Sequence, residues 1–272
     1  MNPEYVQRPT EWWREYFLIN ANSLMEIPWQ HGVQLSPQER DAIASSVQEF
    51  QLGESSEGRH IISAARAYAQ RAGDPAYPHT LALFIAEEHR HARDLGRFLD
   101  TAGLGRAKRA WPDSVFRWLR HRAGLELSIS VLVTAEIIAK VYYAALRDST
   151  RSIVLRLLCD QICHDEVMHV FFQTERLAIL RKRRSWAALF VIALAHRVLF
   201  AGTCLVVWHK HGPAMRAGRV GFRSYWRKCW REMAEALGRM NPRRYAFEKR
   251  QAARPGAGQP MGIRSLLVDP ID

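Results

Sequence analysis

The sequence predicts an all-α protein, a bundle of four long helices with an N-terminal arm and extra C-terminal helices. No proline falls between Pro112 and Pro213, whereas a β-rich chain breaks its elements with turn residues far more often. Long proline-free windows carry apolar residues at helical spacing. With 272 residues, 48% apolar and 24% charged, the chain can bury a sizeable core and is neither disordered nor fibrous. The organisation expected is an aromatic arm over residues 1–35, a bundle over 36–182 and a basic helical extension over 183–272.

The arm holds Trp12, Trp13, Tyr16, Phe17 and Trp29 and reads as an irregular, short amphipathic segment wrapped over something larger. Ser36-Pro37-Gln38-Glu39 opens the first long helix, with a capping serine, proline at the first helical position and glutamate three residues after the cap. That helix is expected to continue to the turn Gly73-Asp74-Pro75. A second helix runs from about Pro78 to Asp100, and its apolar Phe84, Leu95 and Phe98 share a stripe with Glu88 and His91. Residues 102–123 form a connection too long for a turn between neighbouring helices. They predict a crossover that makes the second and third helices parallel, with Gly124 at its end. The third helix, from about Leu125 to Leu146, is apolar nearly all round except for Glu136 and Lys140. After the break at Arg147-Asp148-Ser149, with Ser149 or Thr150 as cap, a fourth helix runs to about Arg181.

Charge is distributed unevenly. Of the net +12, residues 1–180 contribute −2 and residues 181–272 contribute +14, so the basic segment favours an anionic partner. Cys159, Cys163, Cys204 and Cys229 have no paired CxxC spacing, which excludes a zinc ribbon or disulfide framework. The first residues do not read as a secretory leader, so a cytoplasmic location, with peripheral membrane contact as a variant, is expected. After Arg181-Lys182-Arg183-Arg184, the apolar stretch over 186–208 reaches the roughly 20 residues that cross a bilayer. His196 and Arg197 sit at its middle, and a central arginine costs about 2.5–3.5 kcal/mol. It reads as a fifth bundle helix, broken near Gly202, with membrane contact as the competing reading. The run Phe222, Tyr225, Trp226 and Trp230 among Arg223, Arg227, Lys228 and Arg231 is amphipathic and suits lipid or an acidic carrier.

The chemistry lies in a repeated pattern. Glu88 and His91 on the second helix, and Glu166 and His169 on the fourth, each place a carboxylate and an imidazole on one helical face. Either alone is weak, since Glu57 and His60 also match ExxH. Glu57 on the first helix and Glu136 on the third add one acid each, in apolar or small-residue surroundings. Unpaired buried carboxylates are costly, and four of them with two histidines in a bundle core can hold two divalent metals. Glu57 and Glu88 are 31 residues apart, Glu136 and Glu166 30 apart, so both pairs reach similar depth. Glu54 is the alternative to Glu57, but lies further from the turn. Lys140, one turn after Glu136, and Cys159, two turns before Glu166, are candidates for lining a cavity, or for an ordinary ion pair and core packing.

On these residues the chain resembles the ferritin-like di-iron superfamily. Ala86-Glu87-Glu88-His89-Arg90-His91 is similar to the AEENRH segment of soluble acyl-carrier-protein desaturases, and Asp165-Glu166-Val167-Met168-His169 to their DEKRH segment. The resemblance covers about residues 37–181. It implies a ferritin-like four-helix bundle in which Glu57, Glu88, His91, Glu136, Glu166 and His169 ligate two iron ions, or a manganese–iron pair, with Glu57, Glu88, Glu136 and Glu166 the carboxylates active in the chemistry. Glu87 and Asp165 would accept hydrogen bonds from the ligand histidines of facing helices. Ala139 stands where many relatives have threonine, and Ile162 where N-oxygenase-like members have a third histidine.

The activity implied is O2-dependent hydroxylation or desaturation of a small or carrier-bound, lipid-like organic substrate. Electrons would come from an external ferredoxin-type donor, since the chain carries neither a GxGxxG loop nor cluster-binding cysteines. Iron handling by a ferroxidase without organic substrate, and a tRNA-modifying hydroxylase, are the alternatives. The basic tail would meet acyl carrier protein, RNA or a membrane surface, and a homodimer is compatible with all of these.

Overall fold

The computed structural model describes residues 4–55, 58–107 and 124–246. The protein is all-α. Its helices are α1 (Thr10–Asn20), α2 (Pro37–Glu54), α3 (Arg59–Ala72), α4 (Tyr77–Thr101), α5 (Leu125–Asp148), α6 (Ile153–Arg181), α7 (Trp186–Ala217) and α8 (Phe222–Arg239). Two short strands, β1 (Tyr5–Val6) and β2 (Tyr245–Ala246), pair in parallel and tie the two ends of the described chain together.

The expected capping box is present. Ser36 Oγ accepts from the Glu39 amide, and the Glu39 carboxylate accepts from the Ser36 amide. The helix it opens is shorter than expected, because α2 stops at Glu54 and α3 starts only at Arg59. The reason lies at Gly58, which has φ +62°, a left-handed conformation that ends helical continuity and suits glycine. A side chain there would also run into Ile85. Glu57, expected on a continuous helix, falls outside the described residues. The arm is more regular than expected: α1 presents Thr10, Trp13, Phe17 and Asn20 inward, a face of three- and four-residue steps. The fourth long helix is preceded by Ser152, not Ser149 or Thr150, because Ser149 bonds back to the Leu146 carbonyl. Helix α7 passes unbroken through Gly202.

Side-chain bonds set the helix directions. Arg40 donates to the Ala102 carbonyl and Gln51 to the Ala92 carbonyl, so α2 and α4 are antiparallel. Glu87 meets His169 while His91 meets Asp165, so α4 and α6 are antiparallel. Gln173 reaches Glu136 and Arg147 reaches Asp160, so α5 and α6 are antiparallel too. Consequently α4 and α5 run parallel, as the long connection between them requires. Most of that connection, residues 108–123, lies outside the described residues, and Gly124 is the N-cap of α5.

Helix α5 is the core. Ile129, Val133, Ile137, Ile138, Tyr142 and Tyr143 are all buried, which explains why its apolar character extends around the helix. Helices α5 and α7 are both long and apolar enough to cross a membrane, but 78% of that window in α5 is buried against 22% in α7. Helix α7 packs along α5, α2 and α8.

At the far end of α7, Gly218 lies against the backbone of α5, where an added Cβ would overlap the Ala145 carbonyl oxygen. Gly218→Ala should therefore separate α7 from α5 and destabilise the protein by about 2 kcal/mol or more, measured by chemical denaturation. Wild-type stability in that variant would contradict the packing.

Candidate metal centre

Within the bundle, α4 contributes Glu87, Glu88 and His91, and α6 contributes Asp165, Glu166 and His169. Glu54 comes from the last residue of α2 and Glu136 from the middle of α5. Their ligand atoms form two groups. One comprises Glu54, Glu88, His91 and Glu166, the other Glu88, Glu136, Glu166 and His169, and within each group the atoms lie within 4.8 Å of one another. Glu88 and Glu166 belong to both. Each half therefore has its own carboxylate and imidazole, and the two halves share a pair of carboxylates. Of the sequence-predicted ligands, Glu88, His91, Glu136, Glu166 and His169 are brought together here. Glu54, the alternative to Glu57, joins them from the last residue of α2, while Glu57 lies outside the described residues.

The imidazoles are oriented from behind. His91 Nε2 is 3.0 Å from Asp165 Oδ2, and His169 Nε2 is 2.9 Å from Glu87 Oε2. An Nε2–H donated outward leaves the Nδ1 lone pair facing the carboxylates. His169 Nδ1 lies 2.9 Å from Glu88 Oε1 and 3.6 Å from oxygens of Glu136 and Glu166. His91 Nδ1 lies 3.9 Å from oxygens of Glu88 and Glu166. Both Nδ1 atoms, Glu88 Oε1 and both Glu166 oxygens are buried without a hydrogen-bond partner. Acceptors orphaned at one point in a core would be strongly unfavourable by themselves, and divalent cations would satisfy them all. The nitrogen and oxygen donors, with no thiolate, suit iron or manganese.

The supporting acids are themselves braced. Asn20, the last residue of α1, donates its amide to Glu87 at 2.7 Å and to Asp165 at 2.8 Å. Gln161, one turn before Asp165, donates to both its oxygens, and Arg90 adds a bond of 2.7 Å. Burial opposes ionisation of Asp165, yet the hydrogen bond and charge of His91 and the charge of Arg90 hold it well below the usual carboxylate range. Asn20, Gln161 and Arg90 escaped sequence reasoning. The one available signal was that Asn20 extends the inward face of Trp13 and Phe17 by three residues.

Electrostatics differ inside the cluster. Burial, and then the neighbouring carboxylates, push Glu54, Glu88 and Glu166 above the usual range. Glu136 is held low despite its burial, by the close approach of Glu166 and His169 and a hydrogen bond from Gln173. Tyr143 donates to Glu54 at 2.6 Å. Phe17, Phe84 and Phe172 wall the side nearest His169 and exclude water there. On the other side Glu54 and Glu88 are less deeply buried than the rest of the cluster.

Lys140 forms an ion pair with Glu232 of α8. Cys159 is buried in the hydrophobic core, with burial raising its thiol well above the ordinary value. Ala139 and Ile162 are likewise buried core residues.

Taken together, these features define an all-α protein with a buried carboxylate–histidine cluster that could hold metal ions. The chain matches no protein-family model, no curated protein and no solved structure.

Two outcomes test this arrangement. Asn20→Ala removes the clamp on both supporting acids and should weaken metal binding about 10- to 100-fold, with Asn20→Asp worse because it adds a third buried acid. Titration with iron or manganese measures both. Glu166→Gln should raise the melting temperature of metal-free protein. A carboxyl whose folded-state pKa is raised contributes its stability at low pH, and that contribution is lost as pH rises. The metal-free wild type should thus lose stability as pH rises above the ordinary glutamate range, and the variant should lose less.

Proposed function

We propose that the protein is a di-iron oxidoreductase of the O2-dependent oxygenase or desaturase type, built on a ferritin-like bundle. The observation that carries this reading is the sharing of Glu88 and Glu166 between two ligand groups, each completed by one carboxylate and one histidine. A single-metal site has no use for the second imidazole and fourth carboxylate, whereas a pair of ions a few ångströms apart uses every one. The parallel α4 and α5, each antiparallel to α6, support the ferritin-like arrangement.

In this reading Glu54, Glu88, His91 and Glu166 would hold one iron, and Glu88, Glu136, Glu166 and His169 the other. The chemistry such a pair would supply is reductive activation of O2. The remaining work belongs to the chain. Glu87 and Asp165 keep the Nε2 protons of His169 and His91, the phenylalanine wall keeps water from the His169 side, and Tyr143 holds Glu54 by its hydroxyl proton. The half-buried side at Glu54 and Glu88 admits an organic substrate, small or carrier-bound and lipid-like. Electrons come from an external ferredoxin-type donor, and the protein works in the cytoplasm or at a membrane surface.

Purified protein loaded with ferrous iron without oxygen should hold about two ions per chain. Glu88→Ala and His169→Ala should each lower that content sharply, and Glu54→Ala should lower it while Glu57→Ala leaves it intact. Unchanged iron in the Glu88 and His169 variants would sink the assignment. Oxidation of the bound iron by O2 with no electron flow to any organic substrate would instead indicate iron handling.

A further inference from the structure

Helix α7 carries a second surface, remote in chemistry from the metal centre. Trp186, Phe190, Val191, Leu194, Val198 and Leu205 are 69%, 66%, 62%, 52%, 67% and 51% exposed. At 100° per residue they fall on one stripe, about 28 Å long at 1.5 Å per residue. Isolated exposed apolar residues are ordinary, but a continuous stripe of this size marks an interaction surface.

We infer that this face of α7 docks on an anionic phospholipid bilayer, with the helix lying in the plane of the interface. Its opposite face is bound to the bundle: His196 meets Thr134 at 2.9 Å, His211 meets Ser46 at 2.9 Å, and Phe200, Thr203 and Cys204 are buried. Helix α7 therefore cannot thread a bilayer without taking the bundle with it. Lying on the surface leaves the exposed Arg197, near the middle of the stripe, free to reach headgroups, whereas crossing would strand it in hydrocarbon.

Charge specifies the lipid. No aspartate or glutamate occurs between Glu175 and Glu232, while thirteen lysines and arginines do. Lys182, Arg183 and Arg184 are exposed at the start of the stripe, and among the described residues no carboxylate pairs with Arg183, Arg197 or Arg243. A recess of about 330 Å³ at the same end is lined by Trp186, Phe190, Leu237 and Met240 together with Arg197 and Arg243. Guanidiniums beside apolar side chains match a headgroup phosphate with acyl chain below it. A second copy fits less well, since an isologous contact on this stripe brings Arg197, close to its midpoint, toward its own counterpart. Nucleic acid would leave the aliphatic residues without a partner.

The test is co-sedimentation of the full chain with phosphatidylcholine vesicles, with and without phosphatidylglycerol. Binding should require phosphatidylglycerol and weaken as salt rises. Phe190→Glu with Leu194→Glu should reduce it at least about tenfold, and Arg183→Glu with Arg197→Glu should remove its salt dependence, with circular dichroism unchanged in both variants. Failure of the wild type to sediment with anionic vesicles would overturn the inference. So would equal sedimentation of the variants, salt-sensitive binding to RNA in place of vesicles, or a dimer in light scattering that the double glutamate variant converts to monomer.

Discussion

Four carboxylates brought to one level in a helix bundle repel one another, and water cannot screen them there. This constraint organises the molecule. Cations between the acids would turn repulsion into attraction, and the surrounding hydrogen bonds keep the donors aimed at that point. Glu88 and Glu166 face both halves of the cluster, so neither half can be filled or emptied without changing the other.

The same constraint accounts for the reciprocal bracing. Helix α4 supplies Glu87 to hold His169 on α6, and α6 supplies Asp165 to hold His91 on α4. Each helix thus orients the ligand of its neighbour, and the antiparallel pair can slide only by breaking both bonds. Asn20 joins the two supporting acids from outside the bundle. Helix α1 is therefore part of the candidate metal centre, although it contributes no side chain to either donor group. Its Trp13 and Phe17 seal the neighbouring wall with Phe84 and Phe172, and the arm beyond it is anchored by Arg8 on Glu175 and by β1 on β2.

Burial is uneven across the centre: Glu54 and Glu88 are partly exposed, whereas the histidines, Glu136 and Glu166 are buried. Helices α7 and α8 lie beyond α5, joined to it by Thr134–His196 and Lys140–Glu232. They separate the acidic interior from a basic and apolar exterior.

Much of this was legible in the chain. The capping box at Ser36 is written locally, and the proline-free stretches, the all-round apolar α5 and the twin ExxH pairs follow from helical periodicity alone. The long connection before Gly124 required parallel α4 and α5 because chain length limits where a helix can restart. Tertiary structure decided the rest. Glu54 reaches the cluster because it is the last residue of α2, and the break that follows is marked by the left-handed Gly58 packed under Ile85, a contact 27 residues away in sequence. Asn20 has no motif at all, since its role exists only once Glu87 and Asp165 come within reach of a single amide. Likewise, the apolar sequence of α7 is compatible with core or membrane, and only its packing shows which face remains uncovered. Periodicity assigns a residue to a helical face, but partners from distant segments determine what that face meets.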